Sequence, residues 1–303
     1  MGRPMNQDET PPVRFERVAL IGIGLIGSSL AHVIRRDGIA PHISVCARTH
    51  KTLDTARALG IADSTTTDPR ACVEGADLVV LCTPIGTYAA ITRAIAPALQ
   101  RGAIVTDVGS AKVCTLTDVG DNLPEGVAFV PGHPIAGTEY SGPESGFAEL
   151  FQGRYCLLTP PPGTDPVAVE RIAALWRAAG MIVEMMPAAH HDRVLAITSH
   201  LPHLIAYTIV GTATDLAEEA RSEVIKFSAG GFRDFTRIAS SDPVMWRDIF
   251  LNNREAVLEM LARFNEDLMA LQRAIRWGEG DVLEDKFART RAIRRGIVEA
   301  KQA

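Results

Sequence analysis

Cysteine is scarce in this chain, and the five present (Cys46, Cys72, Cys82, Cys114 and Cys156) form no CxxC pair. An odd, unpaired set excludes a disulfide or zinc frame and reads as ordinary buried thiols of a reducing compartment. No apolar stretch approaches the length that crosses a bilayer, so no membrane partner is expected. The N-terminal MGRPMNQDETPP is polar and proline-bearing, unlike a signal peptide or anchor. Residues 1–14 are therefore expected to be a disordered tail, and the cytoplasm is the expected location. A positive balance of charge is also lacking. A net charge of -5 argues against a nucleic-acid surface. Internal repeats and low-complexity tracts are absent.

What remains is 303 residues, 47% of them hydrophobic, enough to bury a large core and to form two domains. From Arg17 to about Met186, short apolar runs (RVALI, HISVCA, DLVVLC, AIVTDV, VAFVPG) alternate with helical patterns. That alternation predicts an α/β domain with a mostly parallel sheet covered by helices on both faces. A further unit follows, with RYCLLT, a helix near Val167–Ala179 and the strand MIVEM. After Pro187 strand signals stop, and long amphipathic patterns run over 191–220 and 244–277 and on to the end. The expected division is 15–186, a dinucleotide-binding domain, and 187–303, an all-helical domain whose apolar faces complete their core across a dimer interface.

Gly22, Gly24 and Gly27 form GxGxxG directly after RVALI, at the start of the helix LIGSSLAHVIRR. In that context the first glycine makes the tight turn and the second admits a pyrophosphate. The third packs helix on strand, while the amides of Leu25 and Ile26 open an anion-binding helix N-terminus. An acid is missing where the second strand, HISVC, should end in one to hold the ribose hydroxyls of NAD. Ala47 stands there, followed by Arg48, Thr49, His50 and Lys51, a cationic run that favours NADP over NAD.

Ligands of open α/β sheets sit beyond the carboxyl ends of the strands. Thr83 with Pro84, Ser110 and His133 follow three predicted strands and converge there. His133 is the leading general base, with a hydroxyl neighbour to orient it. In the second domain, Gly230-Gly231-Phe232-Arg233-Asp234-Phe235-Thr236-Arg237 brackets an aspartate with two arginines. Such a set suits a carboxylate clamp, because arginine grips a carboxylate through two parallel hydrogen bonds. His200 and His203 lie three apart, just after His190 and His191, but no carboxylate or cysteine follows at ligand spacing, so no metal is expected.

DVGSAK (107–112), PGHPIAGTE (131–139), SHLPH (199–203) and GGFRDFTRIASSDPVMWRDIFLNN (230–253) resemble the prephenate/arogenate dehydrogenase family of tyrosine biosynthesis. The likeness runs from about residue 17 to 290. It implies a Rossmann domain, a helical dimerisation domain and a homodimer. The implied reaction is oxidative decarboxylation of a cyclohexadienol, prephenate or arogenate, with NADP or NAD. It further implies that His133 accepts the ring hydroxyl proton with Ser110 hydrogen-bonded nearby, that Arg237 binds a substrate carboxylate, and that His200 and His203 line the pocket. Trp246 resembles an aromatic wall, and Glu139 and Asp234 a pair gating the entrance. Tyrosine, as an inhibitor, would act at the same site.

Plainer readings stand beside these. Lys112 is expected to begin a helix in solvent, Trp246 suits a core, and Asp234 suits an ion pair with Arg233 or Arg237. The enzymatic rival is a β-hydroxyacid-type dehydrogenase relying on Lys226. A non-catalytic NADP-binding sensor is the rival from another class.

Overall fold

The computed structural model describes residues 13–138, 140–215, 226 and 230–299, so residues 1–12 of the expected tail and Glu139 lie outside the described residues. The chain parts into two compact units, Met1–Arg254 and Glu255–Ala303.

In the first unit, six strands form one parallel sheet: β1 (Arg17–Ile21), β2 (His42–Cys46), β3 (Ser64–Thr66), β4 (Leu78–Leu81), β5 (Ile104–Asp107) and β6 (Ala128–Val130). Their order is β3-β2-β1-β4-β5-β6. The helices α1 (Leu25–Arg36), α2 (His50–Ala58), α3 (Pro69–Val73), α4 (Tyr88–Ile95) and α5 (Val113–Asp118) make the crossovers. Successive strand residues point to opposite faces. Val18, Leu20, Leu78 and Val80 accordingly feed one core, and Ala19, Ile21, Val79 and Leu81 the other. Burial on both faces is why these strands are continuous apolar runs. Strand order reverses between β1 and β4, which opens the crevice where ligands of such sheets bind.

The run VAFVPG does not form one strand. β6 closes the parallel sheet, whereas β7 (Gly132–Pro134) pairs antiparallel with β8 (Tyr155–Leu158) in a second sheet completed by β9 (Ile182–Met185). Pro131 marks the corner. It has no N–H for either ladder, and its carbonyl accepts from Thr159 N at 2.9 Å. His133 thus sits inside a strand of the small sheet and not beyond the end of a strand in the large one. α6 (Pro166–Ala178), capped by Asp165, covers this region with Trp176 fully buried.

Beyond Pro187 the chain is helical among the described residues. α7 (Ala188–Leu195) runs through a π turn (Ala196–His200) into α8 (Leu201–Thr214). Pro202 explains the turn, since it cannot donate to the carbonyl four residues back and the ladder must widen. Contrary to the sequence reading, the continuous helix Ala188–Thr214 is long and apolar enough to cross a membrane, with a mean hydropathy of 1.4 over its most apolar window. It nevertheless carries the fully buried His191 and His200, and Asp192 at 4% exposure.

α9 (Gly230–Thr236) leads through a 3-10 turn (Arg237–Ser240) into α10 (Pro243–Asn252), which Asp242 caps by accepting from Met245 N at 2.8 Å. The pattern over 244–277 breaks at Asn253. α11 (Arg254–Trp277) and α12 (Gly280–Glu299) follow, turning at Gly278, whose φ is +70°. Leu268, Met269, Ile275 and Trp277 on α11, with Phe287 and Ile293 on α12, are exposed.

Candidate active site

The glycine turn between β1 and α1 has the shape a dinucleotide needs. Gly22 has φ +95°, and a Cβ there would lie 2.8 Å from the Cys82 carbonyl. A Cβ on Gly27 would lie 2.6 Å from the Gly22 oxygen, so glycine is required for helix and strand to touch. At Gly24 nothing stands within 4 Å, which leaves room for a ligand. No side chain caps α1 at Gly24, so the first-turn amides, beginning with Leu25 and Ile26, are available to an anion. Pro84 starts the 3-10 turn Ile85–Thr87 beyond β4, and Thr83 Oγ1 bonds Thr87 Oγ1 at 2.8 Å. After β2, Arg48, Thr49, His50 and Lys51 are all exposed; Thr49 also caps α2, accepting from Thr52 N at 3.2 Å.

Past β5 and β7 lies a buried polar relay. His133 Nδ1 is 2.9 Å from His191 Nε2, and His191 Nδ1 is 2.8 Å from Asp192 Oδ1. The same Asp192 carboxylate accepts from the backbone of Lys112 at 2.7 Å and of Val113 at 2.9 Å. An ionised carboxylate only accepts, so His191 carries its proton on Nδ1 and offers Nε2 as an acceptor. His133 therefore donates through Nδ1, and its Nε2 is left with a lone pair. Burial pushes the His133 imidazole well below its ordinary pKa, and the neighbouring His191, Lys112 and His200 push the same way, since a proton on His133 would be repelled by the Lys112 ammonium and by any proton gained on either ring. Burial also lowers His191, although Asp192 opposes the shift. Both rings are neutral near pH 7.

A second cluster joins the first through one amide. Asn253 Nδ2 donates to the Asp192 carbonyl at 2.9 Å and meets His200 Nδ1 at 3.0 Å. His200 therefore carries its proton on Nε2, a buried atom that makes no hydrogen bond of acceptable geometry. Burial lowers its pKa to about 4, and the Asp192 charge, with a smaller contribution from the nearby Ser110 backbone, only partly opposes this. The indole of Trp246 stands edge-on to His200 at 6.1 Å and stacks on His203 at 3.6 Å, with its own Nε1 also buried and unbonded. His203 Nδ1 lies 2.8 Å from the Ser199 carbonyl. Burial lowers its pKa, and so does the positive charge of Arg237 beside it. Arg237, on the exposed side of its 3-10 turn, thus borders the same cluster.

The two segments of the chain match two family models: the nucleotide-binding domain of prephenate dehydrogenase over residues 30–185, and the dimerisation domain over 187–289. The chain belongs to the prephenate dehydrogenase family. A cyclohexadienyl dehydrogenase of Zymomonas mobilis is 42% identical over 92% of this chain and 95% of its own. A prephenate dehydrogenase of Bacillus subtilis is 34% identical over 90% of this chain and 72% of its own. The Aquifex aeolicus prephenate dehydrogenase, solved with hydroxyphenyl propionate and NAD+, superposes with a TM-score of 0.86 at 35% identity, covering 93% of this chain and 98% of that one. These relatives make the protein a dehydrogenase with a Rossmann-type nucleotide domain followed by helices.

Within this family frame, the described residues bring His133, His200, His203 and Trp246 into one cluster, with the Ser110 backbone beside His200 and the Arg237 charge acting on His203. Asp234 is exposed on α9, as is Lys226 earlier in the chain. Lys112 corrects the sequence reading. It does precede a helix, but it is fully buried, its Nζ held 2.5 Å from Asp107 and 2.7 Å from the Gly132 carbonyl. Sequence reasoning assigned no role to His191, Asp192 or Asn253. His191-Asp192 had a signal, a histidine and an acid adjacent on a predicted helix. Asn253 had none beyond its place at the end of FLNN.

Proposed function

We propose that the chain catalyses NAD(P)-dependent oxidative decarboxylation of prephenate, arogenate or both, on the route to tyrosine. The observation that carries this reading is the cluster running from the His133 relay through Asn253 and His200 to the stacked Trp246 and His203, with Arg237 near enough for its charge to act on His203. A base and a carboxylate clamp at its two ends suit a small acid with a hydroxyl at the opposite end of its ring.

In this reading Gly22, Gly24, Leu25, Ile26 and Gly27 hold the dinucleotide, with Thr83 and Pro84 flanking the nicotinamide, which when bound supplies the hydride acceptor. His133 Nε2 takes the ring hydroxyl proton as the C–H bond at the same carbon breaks, which relieves the positive charge that would otherwise build there. The ring carboxylate then leaves as carbon dioxide, its bonding pair aromatises the ring, and His133 returns the proton to the phenolic oxygen. Ser110 helps to orient the hydroxyl beside His133. Arg237 fixes a substrate carboxylate, and His200 Nε2–H is a neutral donor into the pocket. Trp246, with His203 stacked on it, forms an aromatic wall. Asp234 is assigned to the entrance with Glu139, which lies outside the described residues.

The cationic run Arg48–Lys51 supports NADP over NAD. The uncovered apolar faces of α11 and α12 support a homodimer built by the helical domain, 187–303. A cytoplasmic location and competitive inhibition by tyrosine complete the reading. Steady-state kinetics with both substrates against both cofactors test it: reduced cofactor accumulates, faster with NADP. His133→Asn lowers kcat on the order of 10²–10⁴-fold while substrate still binds. A flat trace beside tight cofactor binding would identify a sensor. Activity lost in Lys226→Met but kept in His133→Asn would identify the β-hydroxyacid type.

A further inference from the structure

Lys112 is a fully buried cation that the chemistry above does not use. Its ammonium bridges the Asp107 carboxylate, at 2.5 Å, and the Gly132 carbonyl, at 2.7 Å. Asp107 in turn accepts from Gly132 N at 3.2 Å and from Gly109 N at 2.8 Å. Gly132 is therefore gripped at both its N–H and its C=O, immediately before His133, and Gly109 is held immediately before Ser110. At the far end of the relay, the backbone N–H of Lys112 donates to Asp192 at 2.7 Å. One residue touches the supports of Ser110, His133 and Asp192 together.

We propose that Lys112 is a positioning residue that sets both ends of the His133–His191–Asp192 relay, its ammonium holding the strand beneath His133 and its amide holding Asp192. The proposal rests on His133 being the base. A simple core ion pair would need neither the grip on Gly132 nor the shared contact with Asp192. Burial of a lysine is also costly unless each donor is matched, and apolar replacements of buried pairs are often as stable. The groups facing His133 are His191 from α7, His200 from the π turn, the buried Cys156 thiol of β8 at its backbone, and Lys112 itself, with Asp192 and Asp107 behind them.

The test is Lys112→Met, which keeps the length and removes the charge. Misplacing the relay lowers kcat by about 10²-fold with little change in KM. Loss of the nearby positive charge also moves the acid limb of kcat/KM to higher pH. Asp107→Asn, which leaves the ammonium in place, lowers kcat without that upward move. In the ligand-free protein, imidazole 15N signals report the His133 tautomer: Nδ1–H dominates in the native chain and gives way to a mixture in Lys112→Met. If Lys112→Met does not fold, the neutral pair Lys112→Met with Asp107→Asn is read in the same way. Unchanged kcat with unchanged imidazole signals overturns the proposal, as does failure of both Met variants to fold, which would make the pair purely structural. The imidazole readout needs no substrate. An altered tautomer in a chain that oxidises neither prephenate nor arogenate would therefore keep the positioning role and remove only the proposed activity.

Discussion

Replacing Asp192 by asparagine inverts the hydrogen-bond logic of the site while barely changing its volume. Oδ1 accepts from both His191 Nδ1 and Lys112 N, and Oδ2 accepts from Val113 N. An amide can keep only one of these atoms as an acceptor. If its NH2 faces Val113, two donors meet in a buried place. If it faces His191, the Lys112 N–H loses its acceptor, and the imidazole must accept at Nδ1, donate from Nε2, and so force the His133 proton onto the nitrogen that should take the substrate proton. The first arrangement leaves a buried donor unpaired, at about 1–3 kcal/mol. The second removes the base, worth on the order of 10²–10⁴-fold in kcat. Both outcomes share the loss of a carboxylate that favours the His191 proton. Asp192→Asn is therefore expected to melt earlier and to turn over far more slowly, with substrate KM nearly kept. Initial-rate measurements of cofactor reduction, beside a thermal melt, separate the two effects. A folded Asp192→Asn chain with both native kcat and a native melting temperature would refute the relay and with it the assignment of Nε2 as the proton acceptor.

Three further outcomes follow from the geometry. Arg237→Ala raises the KM of the substrate by roughly 10- to 150-fold, the loss of one charge-assisted interaction of about 1.5–3 kcal/mol, and an unchanged KM takes Arg237 out of the site. Gly24→Ala leaves the melting temperature unchanged, because its Cβ meets nothing, but weakens dinucleotide binding; Gly27→Ala, whose Cβ would press on Gly22, lowers both, and equal behaviour of the two in melting and titration contradicts the glycine roles. The folded pKa values of His133, His191, His200 and His203 all lie below the ordinary 6.5, so their contribution to stability is full above that pH and drains as pH falls beneath it, while the unfolded chain takes up protons; denaturant melts showing constant stability from pH 7 down to 5 would contradict this.

The parallel sheet was legible because its strands are buried on both faces, which writes them as unbroken apolar runs. β3 escaped notice for the opposite reason. Ser64–Thr66 is a short polar strand whose place is set by pairing with β2, not by its own hydrophobicity. The corner at Pro131 was also hidden, since the residues on either side are equally strand-like and only the missing N–H separates two sheets. Asn253 breaks an amphipathic pattern that continues through it, and periodicity carries no information about a single residue at φ -110° and ψ 33°.

The candidate site divides along a similar line. The glycine at φ +95° announces itself, and so do the residues proposed as base and clamp, His133 and Arg237, because each proposed task demands one residue type. Residues that act through others do not. Lys112 looks like any helix-leading lysine, and the sequence offers no hint that Asp107, five positions earlier at the end of β5, lies 2.5 Å from its Nζ. The pairing exists because β5 ends between β4 and β6 and the loop beyond it folds back under β7, a consequence of strand order. The supports of an active site are thus spelled in topology. The groups proposed to react are spelled in residue identity, which is why they could be proposed before the scaffold that holds them.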